Sequence, residues 1–212
     1  TGLAFSSDSR TIVSAAYENM RDPPGQRGSI RIWDVSTDRL CCDYLTIPDI
    51  PRSRGYHLVA FSPDSRMVAC CNQRGTVDLW DLETHRRVRT VNFGYFGPAN
   101  AVAFAPDGNL LAAAGRDVET SKFRVALYDL RTASTRAASE HVHQVHSLAF
   151  TRDGRQLASA DARGNLQAWD VVSGTLTRLD PQDPSESGEQ KNWLGSSPYG
   201  LAPVLGALSV SP

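Results

Sequence analysis

Lysine is almost missing from this chain: Lys122 and Lys191 stand alone against 20 arginines. Positive charge is therefore carried by planar guanidinium groups, which suit fixed contacts with carboxylates or phosphates. Net charge is missing too. A formal balance of −1 gives no overall pull toward nucleic acid or a membrane surface, and neither is expected as a partner. No apolar run approaches the roughly 18 residues of a helical membrane span. Cysteine is scarce and poorly placed for metal, as two adjacent pairs, Cys41-Cys42 and Cys70-Cys71. Neighbours on a strand point to opposite faces, so neither a ligand spacing nor a disulfide framework follows. All four are expected as buried, reduced thiols acting as small hydrophobes. That usage belongs to a reducing compartment, and the expected location is cytoplasmic.

Catalytic motifs are absent as well. The chain has no phosphate-cradling Gly-rich loop, HExxH run, nucleophile elbow or Cys-x-x-Cys pair. One cluster, His141-Val142-His143-Gln144-Val145-His146, invites a metal reading. On an extended strand His141 and His143 would share a face while His146 pointed away, which favours a structural role. No enzyme activity, cofactor or metal is expected.

What is present is repetition. Ile32-Trp33-Asp34, Leu79-Trp80-Asp81, Leu127-Tyr128-Asp129 and Ala168-Trp169-Asp170 recur with spacings of 47, 48 and 41 residues between their aspartates. A second signature keeps the same phase: Ala4-Phe5-Ser6-Ser7-Asp8, Ala60-Phe61-Ser62-Pro63-Asp64, Ala103-Phe104-Ala105-Pro106-Asp107 and Ala149-Phe150-Thr151-Arg152-Asp153. Within the second unit, short apolar runs at 58–61 and 67–71 and runs at 76–80 and 87–91 that alternate in the strand period are separated by Pro, Asp, Asn and Gly turns. They read as strands a, b, c and d of an antiparallel meander. A lone four-stranded sheet cannot bury both its faces, so such units must stack around an axis.

These Trp-Asp ends, Phe-Ser-Pro-Asp turns and the period resemble the WD-repeat β-propeller family over residues 1–180. The expected fold is all-β, with four four-stranded antiparallel blades at 1–46, 57–92, 99–140 and 144–180. A loop at 181–204 and the first strand of a fifth blade at 205–212 follow. Both ends read as cut inside a repeat, and propellers close on themselves with typically four to eight blades. The resemblance implies an excerpt of a seven-bladed ring.

Turn lengths separate the two ends of each blade. The a–b and c–d turns are short and uniform, whereas b–c segments 16–28 and 115–122 and d–a segments 46–57 and 180–204 vary. Variable loops on a rigid scaffold are where binding usually lives, which makes the b–c/d–a face the candidate partner surface. Six residues before each strand-c aromatic stands a base: Arg27, Arg74, Lys122 and Arg163. Family members usually carry aspartate there, and the resemblance implies that it joins a strand-c Trp, a strand-b Ser or Thr and a d–a His in a hydrogen-bonded tetrad. Unit four keeps His141, Ser159 and Trp169 but has Arg163 for the acid. Unit two has Arg52, Cys70 and Trp80; unit three has Tyr95 with Tyr128. The tetrad is expected to be eroded throughout. The structural set is Trp33, Asp34, Trp80, Asp81, Tyr128, Asp129, His141, Ser159, Trp169 and Asp170.

Two readings of the basic positions stay open. They are solvated turn residues, or, with Arg52, Arg54 and Arg116, they form a positive surface for an acidic or phosphorylated segment. The acidic stretch with Asp180, Asp183, Glu186 and Glu189 could lie across that surface, and Trp193 could anchor it. The expected function is a non-catalytic protein–protein interaction platform or scaffold binding a protein or peptide. The alternatives are a sensor or scaffold arm of a larger signalling kinase or NTPase, and part of a propeller-containing enzyme completed by residues elsewhere.

Overall fold

Turn residues and alternation cut each repeat into four strands. A computed structural model describes residues 2–15, 30–37, 39–44, 56–72, 75–93, 96–179, 201–204 and 207–210, and every regular element among them is a strand. Blade 1 comprises β1 (Gly2–Phe5), β2 (Thr11–Ala15), β3 (Ile30–Asp34) and β4 (Arg39–Tyr44). Blade 2 comprises β5 (Tyr56–Phe61), β6 (Met67–Asn72), β7 (Thr76–Asp81) and β8 (Arg86–Asn92). Blade 3 comprises β9 (Phe96–Phe104), β10 (Leu110–Asp117), β11 (Phe123–Asp129) and β12 (Ser134–His141). Blade 4 comprises β13 (Val145–Phe150), β14 (Gln156–Asp161), β15 (Leu166–Asp170) and β16 (Leu176–Leu179). Each sheet runs in chain order as an antiparallel meander.

The first strands of successive blades, β1, β5, β9 and β13, lie side by side and form the inner wall. At Gly2 the approach is tight: a Cβ there would sit 2.9 Å from the His57 carbonyl oxygen and from the Leu58 Cα. Only glycine lets β1 lie so close to β5. The expected loop at 181–204 ends early. Leu201–Val204 is a strand, β17, paired antiparallel with β18 (Ala207–Val210). Pro203 falls within β17, as proline is tolerated at a sheet edge. β18 lies beside β13 as β13 lies beside β9.

The Trp-Asp aspartates act as turn caps. Asp34 Oδ1 accepts the Ser36 and Thr37 amides at 2.8 and 3.0 Å. Asp81 Oδ1 accepts Glu83 and Thr84 at 3.1 and 2.7 Å. Asp129 Oδ1 takes Arg131 and Thr132 at 2.8 and 3.0 Å, and Asp170 Oδ1 takes Val172 and Ser173 at 3.0 and 2.7 Å. Such side-chain-to-backbone bonds define an Asx turn. The a–b turns repeat a second device. The Ser6, Ser62 and Thr151 hydroxyls each donate to the aspartate two residues on at 2.6 Å, and that aspartate accepts the next-but-one amide at 3.0 Å. The residue after it is left-handed in all four blades: Ser9, Ser65, Gly108 and Gly154.

The core lies between blades. Val13, Ala15, Ile30 and Ile32 of blade 1 meet Tyr56, Val59, Val68 and Cys70 of blade 2. Leu79, Val91 and Phe93 of blade 2 meet Leu111, Ala113 and Tyr128 of blade 3, with the Phe93 and Tyr128 rings edge-on at 6.2 Å. Val125 and Leu127 of blade 3 meet Leu148, Phe150, Leu157 and Trp169 of blade 4. A sheet packed on both faces buries strand residues of either parity, which is how Val77 and Asp78, neighbours on β7, are both buried.

Two sets of bulges recur. On the outer strands one residue opposite strand c is left over: Cys41, Val88 and Ala138. On the inner strands the extra residues are His57, Asn100 and His146. The outer bulge explains a departure from expectation. Cys70 and Cys71 are buried free thiols whose pKa values burial pushes up, but Cys41 is exposed, because the bulge sits on an edge strand facing solvent.

Candidate interaction face

The b–c/d–a end of the blades is built from Asx residues that close strand b. In blade 2, Asn72 Oδ1 accepts the Thr76 amide at 3.3 Å, and its side-chain amide donates to Thr76 Oγ1 at 2.6 Å. In blade 3, Asp117 Oδ1 accepts the Glu119 and Thr120 amides, both at 2.9 Å. In blade 4, Asp161 Oδ1 accepts Arg163 and Asn165 at 2.9 and 3.0 Å, while Asn165 Nδ2 donates to Oδ2 at 2.8 Å. The Ala162 amide then donates to the Gln144 carbonyl at 2.8 Å, tying this turn to the d–a loop.

Asp161 changes the reading of blade 4. The acid is displaced by two residues rather than lost. His141, 4% exposed, shares a 2.8 Å hydrogen bond between Nε2 and Ser159 Oγ. Its Nδ1 lies 3.8 Å from Asp161 Oδ2, an electrostatic distance and too long for a hydrogen bond. Burial lowers the His141 pKa and outweighs the upward pull of Asp161. Burial alone would raise Asp161, but the Asn165 and Arg163 bonds and the imidazole hold it below the usual carboxylate value. The Trp169 indole N–H finds no acceptor among the described residues, so the network keeps His, Ser and acid without the Trp link. In blade 1 Trp33 Nε1 reaches Ser14 Oγ at 3.5 Å.

Blades 2 and 3 replace the tetrad differently. Asp78, on β7 opposite Cys70, accepts the Tyr56 hydroxyl at 2.7 Å and the Thr90 hydroxyl at 2.5 Å, with Arg87 at 3.7 Å. Burial, then the charge of Asp78, raises the Tyr56 pKa. In blade 3 the network is ionic. Arg124 bridges Asp117 at 2.7 Å and Glu140 at 3.2 Å, and Lys122 pairs with Glu140 at 2.6 Å. Lys122, then Arg124, holds Glu140 below its usual pKa.

The basic positions therefore divide. Lys122 is committed to Glu140. Arg116 donates through Nε to the Ser121 carbonyl at 3.4 Å, and it and Arg163 carry no ion pair among the described residues. Arg27, Arg52, Arg54, Arg74 and Tyr95 lie outside the described residues, as do the acidic stretch with Asp180, Asp183, Glu186 and Glu189, and Trp193. Counting from the aromatic missed the bulged His57, Asn100 and His146, which stand at matching places on three successive inner strands beside this end. His57 Nε2 donates to the Ala99 carbonyl at 2.6 Å, and burial lowers its pKa. Their polar character in an otherwise apolar run was the available signal.

Comparison with known proteins agrees with this architecture. A β-propeller family model, described as Nucleolar protein 10-like, N-terminal domain, matches residues 43–190. Periodic tryptophan protein 2 of Arabidopsis thaliana is 27% identical over 182 residues, covering 83% of this chain and 18% of that protein. WD repeat-containing protein SL1-17 of Schistosoma mansoni is 32% identical over 148 residues, covering 69% and 45%. U3 small nucleolar RNA-associated protein 12 of Saccharomyces cerevisiae is 28% identical over 131 residues, covering 58% and 13%. The chain thus spans less than half the length of these relatives. The expected cytoplasmic location is corrected by these matches, since the family and one relative are named for the nucleolus. Reduced thiols suit the nucleus as well as the cytoplasm, so cysteine usage could not separate the two.

Proposed function

Because the chain belongs to the WD-repeat β-propellers, in the family of the nucleolar protein 10-like N-terminal domain, we propose that it is a non-catalytic interaction platform of the nucleolus. It takes a protein or peptide on the b–c/d–a face. The observation that carries this reading is the contrast between the two ends of the blades. One end is a set of near-identical capped turns. At the other, connections run from Ala15 to Ile30 and from Tyr44 to Tyr56, yet only from Asn72 to Thr76 and from His141 to Val145. Rigid blades carrying unequal loops suit specific recognition.

The ligand is an acidic or phosphorylated segment. Arg116 and Arg163 are its anchors among the described residues, with Arg27, Arg52, Arg54 and Arg74 from the neighbouring loops. Lys122 contributes less than these, since Glu140 already neutralises it. Bulged Asn100 and His146 add polar contacts at the inner rim, consistent with the way bulges re-aim side chains near functional sites. Affinity capture from nuclear extract tests this, using the full-length protein beside an Arg27→Glu, Arg74→Glu, Arg116→Glu, Arg163→Glu variant. The variant is expected to lose its main partners; unchanged capture retires the acidic-ligand reading. A second reading, RNA phosphate on the same arginines, is favoured by the relative named for a small nucleolar RNA. Nuclease treatment separates the two, because partners released by nuclease were held through RNA.

A further inference from the structure

Two arginines on the outer strands occupy the same place in consecutive blades. Arg89 on β8 pairs in register with Leu79, the residue before Trp80. Arg136 on β12 pairs with Leu127, the residue before Tyr128. Each reaches out of its own blade. Arg89 Nη1 donates to the Leu130 carbonyl at 2.8 Å, and Arg136 Nη2 donates to the Val171 carbonyl. Both acceptors are the first residue after the capping aspartate of the next blade's c–d turn. That residue also anchors the turn in two further ways. Its amide bonds to the a–b turn of its own blade, Leu130 to Asn109 at 2.8 Å and Val171 to Arg155 at 2.7 Å. Its side chain packs into the core shared with the preceding blade.

From this repetition we propose that Arg89 and Arg136 are interblade clasps that lock blades 2, 3 and 4 into one rigid arc. Each clasp fixes the angle between a blade and the next by holding the c–d turn at the outer rim, while the apolar core holds the inside. A guanidinium suits the task because it stays charged, spans the seam on a long stem and donates in a fixed plane. A charge-assisted bond to a carbonyl is stronger than a neutral one. The remaining equivalents are Cys42, opposite Ile32 in blade 1, and Thr177, opposite Ala168 in blade 4. The seam between blades 1 and 2 has another link at the a–b turns, where Ser7 Oγ donates to the Pro63 carbonyl at 2.7 Å.

Hydrogen exchange on the full-length protein tests the clasps turn by turn. Arg89→Met keeps the apolar stem and removes the donor. It is expected to speed exchange at the Leu130, Arg131 and Thr132 amides about tenfold while leaving Val171, Val172 and Ser173 unchanged. Arg136→Met is expected to do the reverse. Equal effects on both turns, or none on either, in the two methionine variants overturn the proposal.

Discussion

At Asp78 a carboxylate with 1% exposure is held by two hydroxyls and a distant guanidinium. Removing it leaves the buried Tyr56 hydroxyl without its acceptor, while the exposed Thr90 hydroxyl can turn to water. Asp78→Ala is expected to destabilise the protein by about 3 kcal/mol, measured by denaturant unfolding, whereas loss of an exposed carboxylate would cost little. His141 gives a pH signature instead. Its pKa is lowered in the fold, so its contribution is complete above the unfolded value near about 6.5. That contribution is lost as pH falls through the lower folded value. His57 is lowered in the same direction. A His141→Gln variant should show a shallower fall in stability below about pH 6.5 than the parent; an identical slope would assign the effect elsewhere.

At the scale of the turn, the sequence was most readable. Both signatures that revealed the repeat are the capping devices themselves: Asp34, Asp81, Asp129 and Asp170 at the c–d turns, and Asp8, Asp64 and Asp153 at the a–b turns. Their hydrogen bonds hold every one of these carboxylates below its usual pKa. Stability from these groups is full above the unfolded value of about 3.9 and disappears as pH falls below it. Acid unfolding should therefore begin under about pH 4 and move upward in an Asp81→Asn variant. The c–d turns also hold strained residues, Ala133 among them at φ 56°. Ala133→Gly relieves a left-handed alanine and should stabilise by about 1 kcal/mol, read as a raised unfolding midpoint. Less was legible where spacing drifted. Counting six back from Trp169 lands on Arg163 and skips Asp161, which stands eight residues before the aromatic. Asp78 was invisible for another reason: alternation suggests one dry and one wet face, and in a stacked blade both are dry.

Across the whole molecule, the face of blade 1 turned away from blade 2 stands apart. Leu3 is 64% and Phe5 55% exposed, while their counterparts Leu148 and Phe150 in blade 4 are 6% and 4%. Val35 and Leu40 are exposed on the same blade. Exposed apolar surface of this kind drives association. The 212-residue segment by itself is expected to self-associate in sedimentation, and Leu3→Glu with Phe5→Glu should return it to monomer. A monomeric parent would show that this face is tolerated by water.

The outer-strand bulges at Cys41, Val88 and Ala138 bear on the form such association takes. A ribbon with an unmatched residue twists away from a straight template and resists endless strand-on-strand growth. Clumping of this segment should be amorphous, dissolve in mild detergent and fail to seed fibrils, since it would run through greasy faces and leave the rims alone.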